Sequence, residues 1–284
     1  MFDRFSRSWR LAQASWSVLR QDSQLLVFPL VSMLAALVVS AAFGLGAFGL
    51  WTFDGLSRDD AGRLPPTMYI LGFLFYVSLY FVIFFCNAAL VGAALMRFDG
   101  GRPTVAAGWQ VARSRVFSIL GYAVIAATVG MVLRVIQERI GFLGRIVVGL
   151  LGVGWTVATA MVVPILVTRD VGPIAAVEQS AGMLKKTWGE NVMGQGGMSF
   201  AFFVVYISVV LASAGLLVGA AVVGSTALIV FVILAAIVAI LLAALAHAAL
   251  SGIYSAALYR YGATGSAGDG FDSNALRMAF ASRK

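Results

Sequence analysis

Apolar residues fill six long runs of this chain, and polar residues gather in the short segments between them. The runs cover about residues 25–53, 67–96, 116–133, 146–167, 198–223 and 227–258. A helix needs about 20 apolar residues to cross a hydrocarbon core of roughly 30 Å. Each run is close to that length or longer, so the pattern predicts six membrane-spanning helices. The last run, Ala227–Leu258, holds 32 residues without Asp, Glu, Lys or Arg. Ala235, Ala239, Ala243, His247, Ser251 and Ser255 recur there every four residues, beside a second row of Ala236, Ala244, Ala248, Gly252 and Ala256. Positions four apart stack on one helix face. A face so bare of bulk suits close helix approach, and it predicts that the sixth span is the packing spine of the bundle.

Three of the segments between the runs are amphipathic. In residues 1–24, Phe2, Phe5, Trp9, Ala12, Trp16 and Leu19 share a face, with Arg4, Arg7, Arg10 and Arg20 off it. Aromatics on one side and arginine on the other predict a helix lying in the headgroup plane. Pro103 opens a second such segment, in which Val105, Trp109, Ala112 and Val116 oppose Gln110, Arg113 and Arg115. The third places Ile174, Val177, Ala181, Leu184 and Trp188 opposite Glu178, Gln179, Lys185, Lys186 and Glu190. The glycines Gly194, Gly196 and Gly197 are expected to break it from the fifth span. The segment Arg134–Arg145 reads as a short interfacial helix on the other side, and Gly224-Ser225-Thr226 as a tight hairpin. Residues 263–284 are polar and contain Gly and Ser, which predicts a flexible cytoplasmic tail.

The predicted fold is all-α: a polytopic bundle of six transmembrane helices arranged as three hairpins, each preceded by a cytoplasmic amphipathic helix. Residues 1–262 form one membrane domain, with pseudo-repeats at 1–97, 103–169 and 173–260. Arg97, Arg169 and Arg260 each end the second span of a unit. Of the 20 Lys and Arg residues, 15 fall on the side that carries the termini. The excess of basic residues marks the cytoplasmic side, so both termini are expected there.

Composition narrows the chemistry. The chain is 61% hydrophobic and 11% charged, whereas soluble domains average about 25% charged. The net charge of +8 sits beside apolar spans, which fits anionic lipid rather than nucleic acid. One Cys, Cys86, and one His, His247, give no metal-ligand spacing and no disulfide, and no cofactor is expected. A hydrolase would need a nucleophile with a base and an orienter, and none is recognisable. The deepest polar groups are Asn87 and His247, with Ser251 one turn beyond the latter. They read either as an intramembrane polar pocket between spans 2 and 6 or as an interhelical hydrogen bond worth under about 1 kcal/mol. Arg4, Arg7, Arg10, Arg113, Arg115, Lys185 and Lys186 form a candidate collar for anionic lipids at the inner leaflet. The expected function is a non-enzymatic structural, lipid-organising or accessory role. The alternative is a transporter or permease for a small solute or lipid. A second copy or another membrane protein remains an open partner class.

Residues 169–200 carry a family likeness. Gly172-Pro173-Ile174-Ala175-Ala176, then Ser180, Leu184-Lys185-Lys186 and Trp188, lead into a Gly-rich span. With the hairpin architecture, these resemble uncharacterised bacterial six-span integral membrane families. Those families are loosely similar to the membrane domain of glycerophosphoryl diester phosphodiesterases. The resemblance implies a bacterial inner-membrane location. It implies no activity, since the soluble catalytic domain of those enzymes has no counterpart in this chain.

Overall fold

A computed structural model describes residues 15–53, 66–186 and 188–264. Among these residues there are helices and no strand. The described part of α1 covers residues 15–21 and leads through a 3-10 turn, Ser23–Leu26, into α2, Val27–Phe53. Then follow α3 (Pro66–Phe98), α4 (Val105–Ser114), α5 (Val116–Arg139), α6 (Phe142–Ala158) and α7 (Val162–Thr168). The chain continues as α8 (Pro173–Lys186), α9 (Trp188–Val223) and α10 (Thr226–Thr264). Six stretches are long and apolar enough to cross a membrane: Ser23–Leu50, Pro66–Phe98, Val116–Arg139, Gly144–Thr168, Ala201–Val223 and Thr226–Thr264. The end where α2 begins and α3, α7 and α10 finish is called proximal below, and the opposite end distal.

Local chemistry sets the turns. After α3 the chain reverses at Gly100, whose φ of 80° favours glycine, while Gly101 N–H donates to the Met96 carbonyl at 3.0 Å. Pro103 precedes Thr104, whose hydroxyl accepts from the Ala107 N–H at 3.1 Å and so caps α4. Gly224, with φ of 69°, ends α9, and the Ser225 hydroxyl accepts from the Leu228 N–H at 3.3 Å to start α10.

The core lies in the proximal half, and α3 is its hub. This helix touches α2, α4, α5, α7 and α10. Ala88, Ala89, Ala93 and Ala94 are fully buried on it, and small side chains let neighbouring backbones come close. A Cβ added at Gly108 of α4 would stand 2.7 Å from the Ala89 carbonyl, and one at Gly92 would stand 2.9 Å from Val111. Trp109 packs between Phe28 at 5.3 Å and Phe85 at 5.7 Å. Against α5 the contact is aromatic, with Tyr122 stacked on Phe84 at 4.5 Å.

Ion pairs tie the proximal ends together. Arg97 Nε lies 2.8 Å from Asp22 Oδ2, a contact of charges rather than an aligned hydrogen bond, and its Nη2 donates to Gln21 at 2.7 Å. Arg260 Nη1 lies 2.6 Å from Asp99, Arg115 pairs with Asp170, and Arg169 donates to Gln179 at 2.7 Å and to the Tyr259 hydroxyl at 3.2 Å. The arginines that end α3, α7 and α10 therefore each hold a neighbouring element.

Four expectations change. The small-residue row of α10 is buried along residues 249–259, but Ala235 and Ala244 are exposed, so the close-packed centre is α3. Arg134–Arg139 forms no separate interfacial helix; it continues α5, because Arg134 bonds Glu138 one turn on and the Tyr76 hydroxyl of α3. Gly194, Gly196 and Gly197 lie inside α9, where glycine costs only about 1 kcal/mol in helix propensity. The described part of α8 ends at Lys186, and α9 is described from Trp188. In α1, Ser15, Val18 and Leu19 are buried and Trp16 is 44% exposed. Finally, the fourth span is broken between α6 and α7. The expected amphipathic face of residues 1–14 and the tail from 265 onward lie outside the described residues.

Candidate functional site

The break in the fourth span follows from one residue. In an unbroken helix the N–H of residue 164 would bond the Ala160 carbonyl, but Pro164 has no N–H. The ladder tightens: Ala160 N–H bonds the Val157 carbonyl at 3.2 Å and Val162 N–H the Thr159 carbonyl at 3.1 Å. The backbone groups that lose their helical partners include the Ala158 and Ala160 carbonyls and the Met161 N–H. Two serines replace them. Ser180 of α8 donates to the Ala158 carbonyl at 2.6 Å and accepts from the Met161 N–H at 3.1 Å. Ser255 of α10 donates to the Ala160 carbonyl at 3.3 Å. Irregular backbone at membrane depth is tolerated where protein surrounds it or where it lines a cavity. Both conditions hold, since Ser180 is 1% exposed and Ala160 borders a cavity.

That cavity, about 480 Å³, lies between α2, α3 and α10. Its walls are apolar: Met33 and Ala36 on α2, Ile83 and Leu90 on α3, Ala244 and Ala248 on α10. Its polar groups are Ser32, Asn87, Ser251, Ser255 and the backbone at Ala160. No side chain lining it is charged. Among the described residues no hydrogen bond engages the Asn87 carboxamide or the Ser251 hydroxyl. Asn87 lies along α10, because a Cβ at Gly252 would stand 3.0 Å from its Oδ1.

The expected polar residues are thus divided. Asn87 and Ser251 share the cavity. His247 does not line it; on the flank of α10 turned to α9 it is stacked on Phe202 at 4.5 Å and tilted against Tyr206 at 6.4 Å. Of the expected collar, Arg113 is exposed on α4, and Arg115 is engaged by Asp170. Lys185 and Lys186 close α8, while Arg4, Arg7 and Arg10 lie outside the described residues. Ser180 and Ser255 were not among the expected site residues. The signal that could have found their role is Pro164, which predicts an orphaned carbonyl four residues earlier. Among the described residues, no group of three or more His, Cys, Asp or Glu could hold a metal ion.

Six apolar helices around a proximal core define a multi-pass helical membrane protein. The chain belongs to a family of unknown function (DUF6159), which matches residues 67–271 and so includes every cavity-lining residue of α3 and α10. No curated protein and no solved structure matches it. Similarity to the membrane domain of glycerophosphoryl diester phosphodiesterases is not among these findings.

Proposed function

We propose that this is a non-enzymatic, lipid-organising protein of the bacterial inner membrane, and that its cavity holds an uncharged amphiphile. The observation that carries the proposal is the cavity itself, with apolar walls on three helices and hydrogen-bonding groups near one broken span. Ligand pockets combine this apolar lining with a few placed polar groups. A charged headgroup would find no counter-charge there, and an unpaired charge is expensive to bury. The chemistry therefore favours a hydroxyl- or carbonyl-bearing lipid, with Asn87 and Ser251 as its partners. Anionic lipids would engage the basic collar from outside, through exposed groups such as Arg113.

Ala248 lines the cavity yet is exposed, so Ala248→Trp fills it without disturbing the core. The expected result is loss of co-purifying neutral lipid by mass spectrometry, with an unchanged melting midpoint. Exchanging the seven collar residues for Gln should instead deplete anionic lipid. Equal neutral-lipid content in wild type and Ala248→Trp would overturn the proposal. A solute flux in proteoliposomes that Asn87→Ala abolishes would replace it with the permease reading.

A further inference from the structure

Three arginines sit at the distal end, against the general distribution of charge. Arg134 and Arg139 lie in the last turns of α5, and Arg145 lies at the start of α6, with Glu138 as the neighbouring acid. Between α5 and α6 runs a second hollow of about 630 Å³. Leu133 and Val153 give it apolar walls, and Gly149 and Gly152 line it from α6. These glycines do not serve close packing: a Cβ at Gly149 would meet nothing within 4 Å, and one at Gly152 only Leu133, at 3.9 Å. The groove is therefore open where α6 presents Gly149 and Gly152. Its lining also includes Arg134 and Gln137. Arg134 gives Nε to Glu138 at 3.2 Å and Nη1 to Tyr76 at 2.7 Å, and its Nη2 donors are not used in either bond. With Arg139 and Arg145 exposed nearby, positive charge exceeds negative at this mouth.

We propose that the α5–α6 groove binds an anionic phospholipid in the distal leaflet. One acyl chain lies along Gly149 and Gly152, and the phosphate sits on the free donors of Arg134. Guanidinium donors suit phosphate oxygens, while an apolar groove beside them suits a lipid better than free phosphate. The site differs from the proximal cavity in place and in ligand charge, so it stands whether or not that cavity holds an amphiphile.

Native mass spectrometry of the full chain in mild detergent tests this, with phosphatidylglycerol, phosphatidylcholine and inorganic phosphate as separate probes. Wild type should retain phosphatidylglycerol in preference to phosphatidylcholine. Arg134→Gln should weaken that retention about fivefold, and Arg134→Lys should recover part of it. Gly149→Leu, which has room to fold, should weaken it by occupying the groove. Ala248→Trp, in the proximal cavity, should leave it within about twofold. Equal retention of both lipids, or no effect of Arg134→Gln and Gly149→Leu, would overturn the site as nothing more than annular lipid. Displacement of phosphatidylglycerol by equimolar inorganic phosphate would overturn the lipid assignment in favour of a phosphate site.

Discussion

Glycines in this protein divide into those that permit contact and those that leave space. Gly252 is the clearest of the first kind, since a Cβ there would run into Leu90 and approach Asn87. Gly252→Leu should lower stability by about 1–3 kcal/mol, the usual cost of overpacking, seen as a lower melting midpoint in detergent. Gly215→Leu is the matched control, because nothing lies within 4 Å of a Cβ there, and it should leave the midpoint unchanged. Equal effects would remove the close approach of α10 to α3 as an explanation. Ser180 works through polarity instead of size. Its hydroxyl serves one carbonyl and one N–H at the break, the first half-buried and the second buried. Ser180→Ala strands both, and a stranded buried group costs about 1–3 kcal/mol. The same melting assay should show the loss, and Ser213→Ala should not, because Ser213 only bonds the Val209 carbonyl of its own helix.

At the scale of the element, the fourth span is two helices because of Pro164, and the serines make that break tolerable. Pro164→Ala restores the N–H that Ala160 lacks. The expected outcome is one continuous helix, with a longer separation between spin labels at Val147 and Thr168 in a Cys86→Ser background, approaching 1.5 Å per residue. An unchanged separation would assign the break to Ser180 and Ser255 instead. The sequence shows this proline plainly, and it shows the six spans, because apolar length is a local property. It does not show who satisfies the freed groups, since Ser180 and Ser255 lie 22 and 95 residues from their carbonyl partners. The same limit applies to the polar site. Depth along a helix can be counted, and that count puts Asn87 and His247 at similar depth. Azimuth depends on which helix packs on which side, and it is α9, through Phe202, that takes His247 away from the cavity. Arg134 was misread for a similar reason: its charge suggested an interfacial helix, but the Tyr76 hydroxyl that holds it belongs to another span.

At the scale of the molecule, the proximal end is locked and the distal end is looser. Asp22–Arg97 and Arg115–Asp170 each tie the two proximal ends of one hairpin, and Asp99–Arg260 joins the first hairpin to the third, whereas Phe117 apart, the most exposed large apolar side chains, Val222 and Val223, lie at the distal end of α9. Among the described residues the proximal end also carries nine of the Lys and Arg residues and the distal end three. Several of those arginines are paired with carboxylates in the fold, but orientation follows Lys and Arg near the spans, and Asp and Glu contribute little to it. The pairing therefore does not weaken the expectation that the proximal end faces the cytoplasm. Cys86 is the single cysteine and is buried, so its replacement by Ser gives a clean background for labelling. Single cysteines introduced at Ser57, Ser225 and Ser266 then report both sides. In intact cells an impermeant thiol reagent should modify the first two positions, which follow the outward spans α2 and α9, and spare Ser266 until the membrane is opened. Labelling of Ser266 in intact cells, with Ser57 and Ser225 protected, would invert the orientation. It would also place the Arg134 groove in the cytoplasmic leaflet, where its three arginines would be ordinary members of a basic inner face.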